Sequence, residues 1–353
     1  MGKSFAQCNF HFLALACVTL QSAALIGSVF LSGCSECEKG SERKDGTAEC
    51  TTVAGAPSTT PQVSILASGI SASGYGLTVD SGGNVFFLDY NNGVIRKLSS
   101  SGTQTVFYSG TVGYFLAIGA NDYIFMIGIG FIKKISPAGS VLSTITTDAS
   151  LYPTGFTVDS SGNLYFTSTT GGWSTSTNVI TKVTSGGAIS TFAGSGVSGS
   201  TNGNGTSASF DNPQGIVADS SGNVYVVDAG NSKIRKITPS GDVTTLSGTG
   251  TRGTQNGSAT EATFNFRAPG AQPNGIGIST QNVLYVGQAY GLGILRAVTS
   301  DGTVTTYCGN GTDAAVAGAC DKSGFYSSGS VAIGPNGSIY VNGANSDIVK
   351  IAK

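Results

Sequence analysis

The chain has 353 residues, of which 39% are hydrophobic and only 10% charged, and its formal net charge is -1. Such a composition can fill a sizeable core and excludes a disordered chain, while the near-neutral balance, with no Lys/Arg run longer than Arg43-Lys44 or Lys133-Lys134, excludes the basic footprint of a nucleic-acid binder. With 53 glycines and few charges, solubility has to come from Ser, Thr and Asn, as expected of a turn-rich β protein outside the cytosol.

The N-terminus reads as an export signal. Residues 1–35 hold no Asp or Glu, one Lys (Lys3) and an apolar stretch from Phe10 to Leu31. The stretch ends in Leu31-Ser32-Gly33-Cys34, which resembles the bacterial lipobox, so residues 1–33 are expected to be a lipoprotein signal peptide and Cys34 the lipid attachment site. An uncleaved transmembrane anchor is the alternative, since at about 1.5 Å per residue the stretch could cross a bilayer. Residues 34–60, rich in Ser, Thr, Lys and Glu, then form a flexible tether. Ser35 leaves out the Asp that favours inner-membrane retention, so the outer membrane is expected if the host has two, with the rest of the chain outside the cytoplasm.

Of the 7 cysteines, Cys8 and Cys17 fall in the leader and Cys34 carries lipid, leaving Cys37, Cys50, Cys308 and Cys320. An even remainder suits an oxidising compartment. Three pairings are open, and the neighbours in sequence, Cys37 with Cys50 and Cys308 with Cys320, are the expected ones. With His11 the only histidine and no Cys-x-x-Cys beyond Cys34 to Cys37, no metal or other cofactor is expected.

From about residue 61 a sentence repeats. Val79-Asp80-Ser-Gly-Gly-Asn84-Val-Phe86, Val158-Asp159-Ser-Ser-Gly-Asn163-Leu-Tyr165 and Ala218-Asp219-Ser-Ser-Gly-Asn223-Val-Tyr225 are clear copies, and degenerate ones put the aromatic again at Phe125, Tyr285 and Tyr340. Each unit holds four short runs rich in Val, Ile, Tyr and Thr, too short for helices; in the clearest they are 215–218, 223–228, 232–238 and 242–247. Asp-x-x-Gly-Asn is hairpin chemistry, so consecutive strands pair antiparallel. Val224 to Val227 are apolar on both alternating faces, so neighbouring sheets must cover both, and radial stacking of four-stranded sheets is a β-propeller. Six anchors predict six blades. The last unit stops after three strands, and Val63 to Ser68 matches the missing fourth, so an N-terminal strand at about 62–68 is expected to complete the last blade and close the ring.

The run Thr191-Phe-Ala-Gly-Ser-Gly, Asn202-Gly-Asn-Gly, Ala208-Ser-Phe-Asp-Asn-Pro213-Gln-Gly-Ile-Val-Ala-Asp219 and Asp228-Ala-Gly-Asn231-Ser-Lys-Ile-Arg235-Lys-Ile resembles the NHL repeat of bacterial extracytoplasmic propellers. The resemblance covers about residues 61–353, is strong in units one, three and four, and weakens in units two and five, which lack the Asp-x-x-Gly-Asn turn, and in unit six. It implies an all-β propeller and a habit of binding partners, and leaves the reaction open.

Antiparallel order puts the turns between strands 1 and 2, and 3 and 4, on one rim. The opposite rim carries the links between strands 2 and 3 and between blades, including three long insertions at about 194–212, 248–274 and 309–329. The binding face is expected there, with Tyr90, Trp173, Arg252, Glu261, Arg267 and Tyr290 as candidates, because exposed aromatics and Arg are enriched in binding hot spots. Trp173 could instead pack on its own blade. Glu261, the only Glu in the propeller, reads as a surface carboxylate, and Asp80, Asp159 and Asp219 read as turn residues. Lack of histidine disfavours lyases that need one. The expected function is therefore a non-enzymatic, envelope-anchored module that binds an unknown protein or glycan through the long-loop rim. The alternative is an extracytoplasmic lactonase-like hydrolase or lyase with Asp, Glu and Asn metal ligands.

Overall fold

The repeated Asp-x-x-Gly-Asn segments form the hairpin turns that their chemistry predicts. Asp219 Oδ1 accepts from the backbone N–H groups of Ser221 and Asn223, both at 2.9 Å, and Oδ2 accepts from Asn223 Nδ2 at 2.8 Å. Gly222 supplies the positive φ of 80°. Asp80 and Asp159 repeat the arrangement. In unit two, which lacks this sequence, Asn121 and Asp122 take the left-handed conformation instead, at φ 56° and 59°.

The structure is a computed structural model that describes residues 41–43, 50–52, 60–67, 76–172, 175–266, 273–288, 293–311, 317–323, 330–342 and 347–352. The chain divides into two units, residues 1–59 and 60–353. In the first, within the segment read as a tether, Ser41–Arg43 pairs antiparallel with Cys50–Thr52. The second is an all-β, six-bladed propeller of antiparallel blades.

Blade 1 comprises Leu77–Val79, Val85–Asp89, Val94–Leu98 and Gln104–Ser109. Blade 2 comprises Phe115–Ile118, Ile124–Gly128, Phe131–Ile135 and Val141–Thr146; blade 3 comprises Tyr152–Val158, Leu164–Thr170, Thr175–Val183 and Ile189–Ala193. Pro213–Ala218, Val224–Asp228, Lys233–Ile237 and Asp242–Ser247 make blade 4, and Ile276–Ile278, Leu284–Gly287, Leu295–Val298 and Val304–Cys308 make blade 5. Blade 6 takes Val331–Ile333, Ile339–Asn342 and Ile348–Ala352 from the end of the chain and Gln62–Ala67 from its beginning, with Val63 opposite Ile351 and Ile65 opposite Val349. The ring is thereby closed as the truncated last repeat predicts.

Packing follows from the period of two along each second strand. Phe86 points to the interface with blade 2, among Leu116, Ile124 and Met126, while its neighbour Phe87 points to the interface with blade 6, among Tyr340 and Ile348. Such a cluster fills each of the six interfaces. Each fully buried side chain of this kind contributes about 1.5–3 kcal/mol, so no blade is stable alone.

The insertions do not simply stand on the long-loop rim. Each runs down the outer edge of the blade that it leads into: Gly203–Asn204 pairs with 242–243 of blade 4, Gly257 bridges to Val304 of blade 5, and Gly318–Ala319 pairs with 62–63 of blade 6. The physical reason is the exposed edge. A fourth strand presents unpaired N–H and C=O groups to solvent, and a returning loop satisfies part of them.

Candidate functional site

The six innermost strands surround the axis, each with one edge unpaired. Near the long-loop rim they are drawn together by glycines. A Cβ at Gly155 would collide with the carbonyl oxygen of Gln214, and one at Gly215 with that of Asn274, so only glycine lets adjacent inner strands approach this closely. The cavity inside this constriction is about 60 Å³, ringed by Leu77, Leu116, Phe156, Ile216, Ile276 and Val331. Toward the turn rim the axial cavity widens to about 290 Å³.

One residue before each glycine sits a polar side chain, and these link blade to blade. Thr154 Oγ1 lies 2.8 Å from Thr167 Oγ1 and 3.3 Å from the carbonyl of Pro213, and Thr167 Oγ1 donates to the carbonyl of Gln214 at 2.6 Å. Gln214 Oε1 accepts both the backbone N–H and the Nδ2 of Asn274, at 3.0 and 2.6 Å. The ladder ends on Asn274, whose Oδ1 is buried without a hydrogen-bond partner among the described residues. A desolvated acceptor costs about 1–3 kcal/mol when left unsatisfied, which marks it as a place where a donor belongs. The signal was present in the sequence as Pro153-Thr-Gly, Pro213-Gln-Gly and Pro273-Asn-Gly, but the pattern does not say that these side chains meet.

Outside the ladder, the insertion before blade 4 is held by an ion pair. Arg235 and Asp228 are both fully buried at 2.8 Å, and the guanidinium lies 5.1 Å from the Phe210 ring centroid. It also donates to the carbonyls of Ser209 and Thr201 and to Asn202 Oδ1. Burial pushes the Asp228 carboxyl above its ordinary value, against the pull of hydrogen bonds from Asp211, Asn231 and Arg235. In blade 5, Arg296 makes the same bonds to Thr263, Gln255 and Asn256, but Gln288 replaces the aspartate. Burial lowers the Arg296 pKa to about 10. Before blade 6 a disulfide between Cys308, at the end of blade 5, and Cys320, with Cα atoms 5.0 Å apart, ties the insertion instead.

The structure separates the sequence-predicted site residues. Tyr90 is 42% exposed and stacks on Tyr114 at 5.7 Å on the long-loop rim. Arg252 is exposed and donates to the carbonyl of Phe266 within its own insertion. Glu261 Oε2 accepts from Ser258 Oγ at 2.7 Å and from its backbone N–H at 3.2 Å; these bonds hold its carboxyl below its ordinary value and tie it into a local turn. Its neighbour Gly257 bridges to the start of the fourth strand of blade 5, so this part of the insertion lies down the outer edge, away from the axis. Trp173, Arg267, Tyr290, Cys34 and Cys37 lie outside the described residues, as does the side chain of Cys50. Among the described residues no helix is long and apolar enough to cross a membrane, and no group of three or more His, Cys, Asp or Glu could hold a metal ion.

Residues 210–237 match the NHL repeat. The fold recurs in a Bacteroides thetaiotaomicron protein of unknown function, with TM-score 0.64 and 18% identity over 83% of this chain and 76% of that one. It recurs in a streptogramin B lyase, with TM-score 0.52 and 18% identity over 83% and 97% of the two chains. A gluconolactonase of Xanthomonas campestris matches with TM-score 0.53 and 12% identity over 84% and 96%. No curated protein matches the sequence. The chain is thus a six-bladed β-propeller that carries an NHL repeat. The expectation of a non-enzymatic protein does not stand: two of these propellers are named as enzymes, a lyase and a lactonase, and the architecture read as a binding scaffold is one that carries catalysis.

Proposed function

We infer that the protein is an extracytoplasmic propeller enzyme, a lactonase-like hydrolase or a lyase, that takes its substrate at the axial mouth of the long-loop rim. The observation that carries this reading is Asn274 Oδ1, a buried acceptor that has no partner among the described residues, at the end of the Thr154–Gln214–Asn274 ladder. Such an acceptor selects a substrate that brings an O–H or N–H group, as a hydroxylated lactone or a cyclic peptide ester does, and fixes its orientation before the ester or lactone bond reacts. Asp, Glu and Asn metal ligands are the expectation for such an activity. The described mouth offers neutral amide and hydroxyl oxygens, whereas a hard divalent cation takes six to eight oxygens, carboxylates among them. The described residues therefore do not form a cation cage.

The full chain, assayed against gluconolactone and cyclic depsipeptide esters with and without added calcium or magnesium, is expected to turn over at least one. Asn274→Leu should lower kcat/KM about tenfold to a hundredfold, the worth of one strong substrate hydrogen bond. No turnover of any ester or lactone, or full activity in Asn274→Leu, would overturn the reading.

The location is part of the same proposal. The leader composition, Cys34 and the Cys308–Cys320 disulfide support a lipid-anchored protein outside the cytoplasm. Cys34→Ala is expected to move the protein from the membrane to the soluble fraction; unchanged partitioning after detergent extraction would refute the anchor.

A further inference from the structure

In blades 1, 2, 3, 4 and 6 a lysine of the third strand lies over the aromatic ring of the second: Lys97 over Phe86 at 5.4 Å, Lys134 over Phe125 at 5.8 Å, Lys182 over Tyr165 at 5.4 Å, Lys236 over Tyr225 at 5.8 Å and Lys350 over Tyr340 at 5.9 Å. In blades 3 and 4 the tyrosine hydroxyl donates to the turn aspartate, Asp159 or Asp219, at 3.1 Å in each. In blade 1 the turn aspartate, Asp80, stands 3.9 Å from Lys97. Blade 6 keeps the tyrosine and the lysine but has Gly334 where the aspartate belongs. Among the described residues the Tyr340 hydroxyl then makes no hydrogen bond and Lys350 no ion pair. Tyr225 is raised to about 12 by burial and then by the Asp219 charge; Tyr340 is raised by burial alone.

Both donors face a groove. Between blades 6 and 1, on the turn rim, lies a cavity of about 450 Å³ whose walls include Leu66, Val85, Leu98, Tyr340, Lys350 and Ser100. The blade 1 turn at 99–102 lines it and stands clear of its neighbour: a Cβ on Gly102 would meet nothing within 4 Å. The corresponding Gly187 of blade 3 is as clear, whereas Gly139 of blade 2 would strike the carbonyl of Phe107, and Gly302 of blade 5 that of Leu246. The groove therefore combines an apolar floor, a cation, a phenol donor and serine hydroxyls, with the carboxylate found at the same place in other blades missing.

We propose that this groove binds a small organic monocarboxylate, its carboxylate seated between Lys350 Nζ and the Tyr340 hydroxyl, near where the aspartate meets the tyrosine in blades 3 and 4 and the lysine in blade 1, and its apolar body on Leu66, Val85 and Leu98. Two charge-assisted contacts and burial of the apolar body supply the affinity, and the volume falls in the range of small-molecule sites, roughly 300–1,000 Å³. The site is separate from the axial mouth and stands whether or not the enzyme reading does.

The test is titration of the full chain, followed by calorimetry, with hexanoate and benzoate and with their uncharged counterparts hexanamide and benzamide. The acids should bind in the millimolar range or tighter, weaken with added salt, and exceed the amides at least about tenfold. Gly334→Asp places the protein's own carboxylate in the site; its Cβ would lie 3.0 Å from Tyr340 Cε2, so the ring must yield slightly. That variant should lose acid binding tenfold or more without losing thermal stability. Lys350→Met should lose it as well while keeping a native circular dichroism spectrum, which holds the test open if Gly334→Asp folds poorly. Equal binding of acids and amides, no acid binding at 10 mM (about the weakest affinity worth calling a site), or full binding in a folded Lys350→Met variant would overturn the proposal.

Discussion

At the scale of single residues, the contrast between Asp228 and Gln288 is the most consequential. Both sit at the end of a second strand beside a fully buried arginine, yet only Arg235 has a carboxylate against it. Removing one member of a buried pair typically costs about 3–5 kcal/mol because the other charge is left uncompensated. Asp228→Asn should therefore cost about that much in urea unfolding. The substitution Gln288→Asp should do the reverse and raise the midpoint at unchanged m-value, by about 1–2 kcal/mol once the new carboxylate's own desolvation is subtracted. A lower midpoint in Gln288→Asp would show that the Arg296 site is already satisfied by its carbonyl bonds. Asp89 supports a pH prediction. Burial alone would raise its pKa, but hydrogen bonds from Arg96 and Asn92 and the Arg96 charge outweigh it and the net shift is downward. A carboxylate depressed in the folded state stabilises above its unfolded pKa, about 3.9, and that stability is lost as pH falls through the folded value. The Tm difference between the wild type and Asp89→Asn should accordingly be constant above about pH 5 and shrink below pH 4.

At the scale of elements, each of the three long insertions is fastened differently: by an ion pair before blade 4, by an arginine without its aspartate before blade 5, and by a disulfide before blade 6. Cys308 and Cys320 are 12 residues apart, a loop whose closure is worth up to about 3 kcal/mol in the chain-entropy model. Reduction, or the double change Cys308→Ser and Cys320→Ser, should lower stability by up to that amount and loosen Gly318–Ala319 from residues 62–63, visible as faster hydrogen exchange at Val63. The strand Gln62–Ala67 matters more, because its loss uncovers the whole edge of Ile348–Ala352. A chain beginning at residue 69 should melt far lower or aggregate. An unaltered melting curve would contradict closure of the ring by this strand.

At the scale of the whole molecule, the sequence determined the number of blades and the way they close. Turn chemistry is local: Asp80, Asp159 and Asp219 bond to residues two and four positions onward, so five consecutive letters suffice to read them. Alternation along each strand is equally local, and the likeness of Val63 to Ser68 to a fourth strand is legible in the letters themselves. What the tertiary structure alone decided is everything that depends on which repeats become neighbours. The insertions turned down as edge strands because a fourth strand far away in sequence had unpaired groups to offer. The amide ladder ends on Asn274 because Gln214, 60 positions earlier, lies in the adjacent blade. The groove between blades 6 and 1 is lined by Leu66 and Leu98 from the first part of the sequence and by Tyr340 and Lys350 from the last, which only ring closure brings together. Repeats fix the unit and its count; the chemistry lies at the interfaces between units, where residues distant in sequence meet.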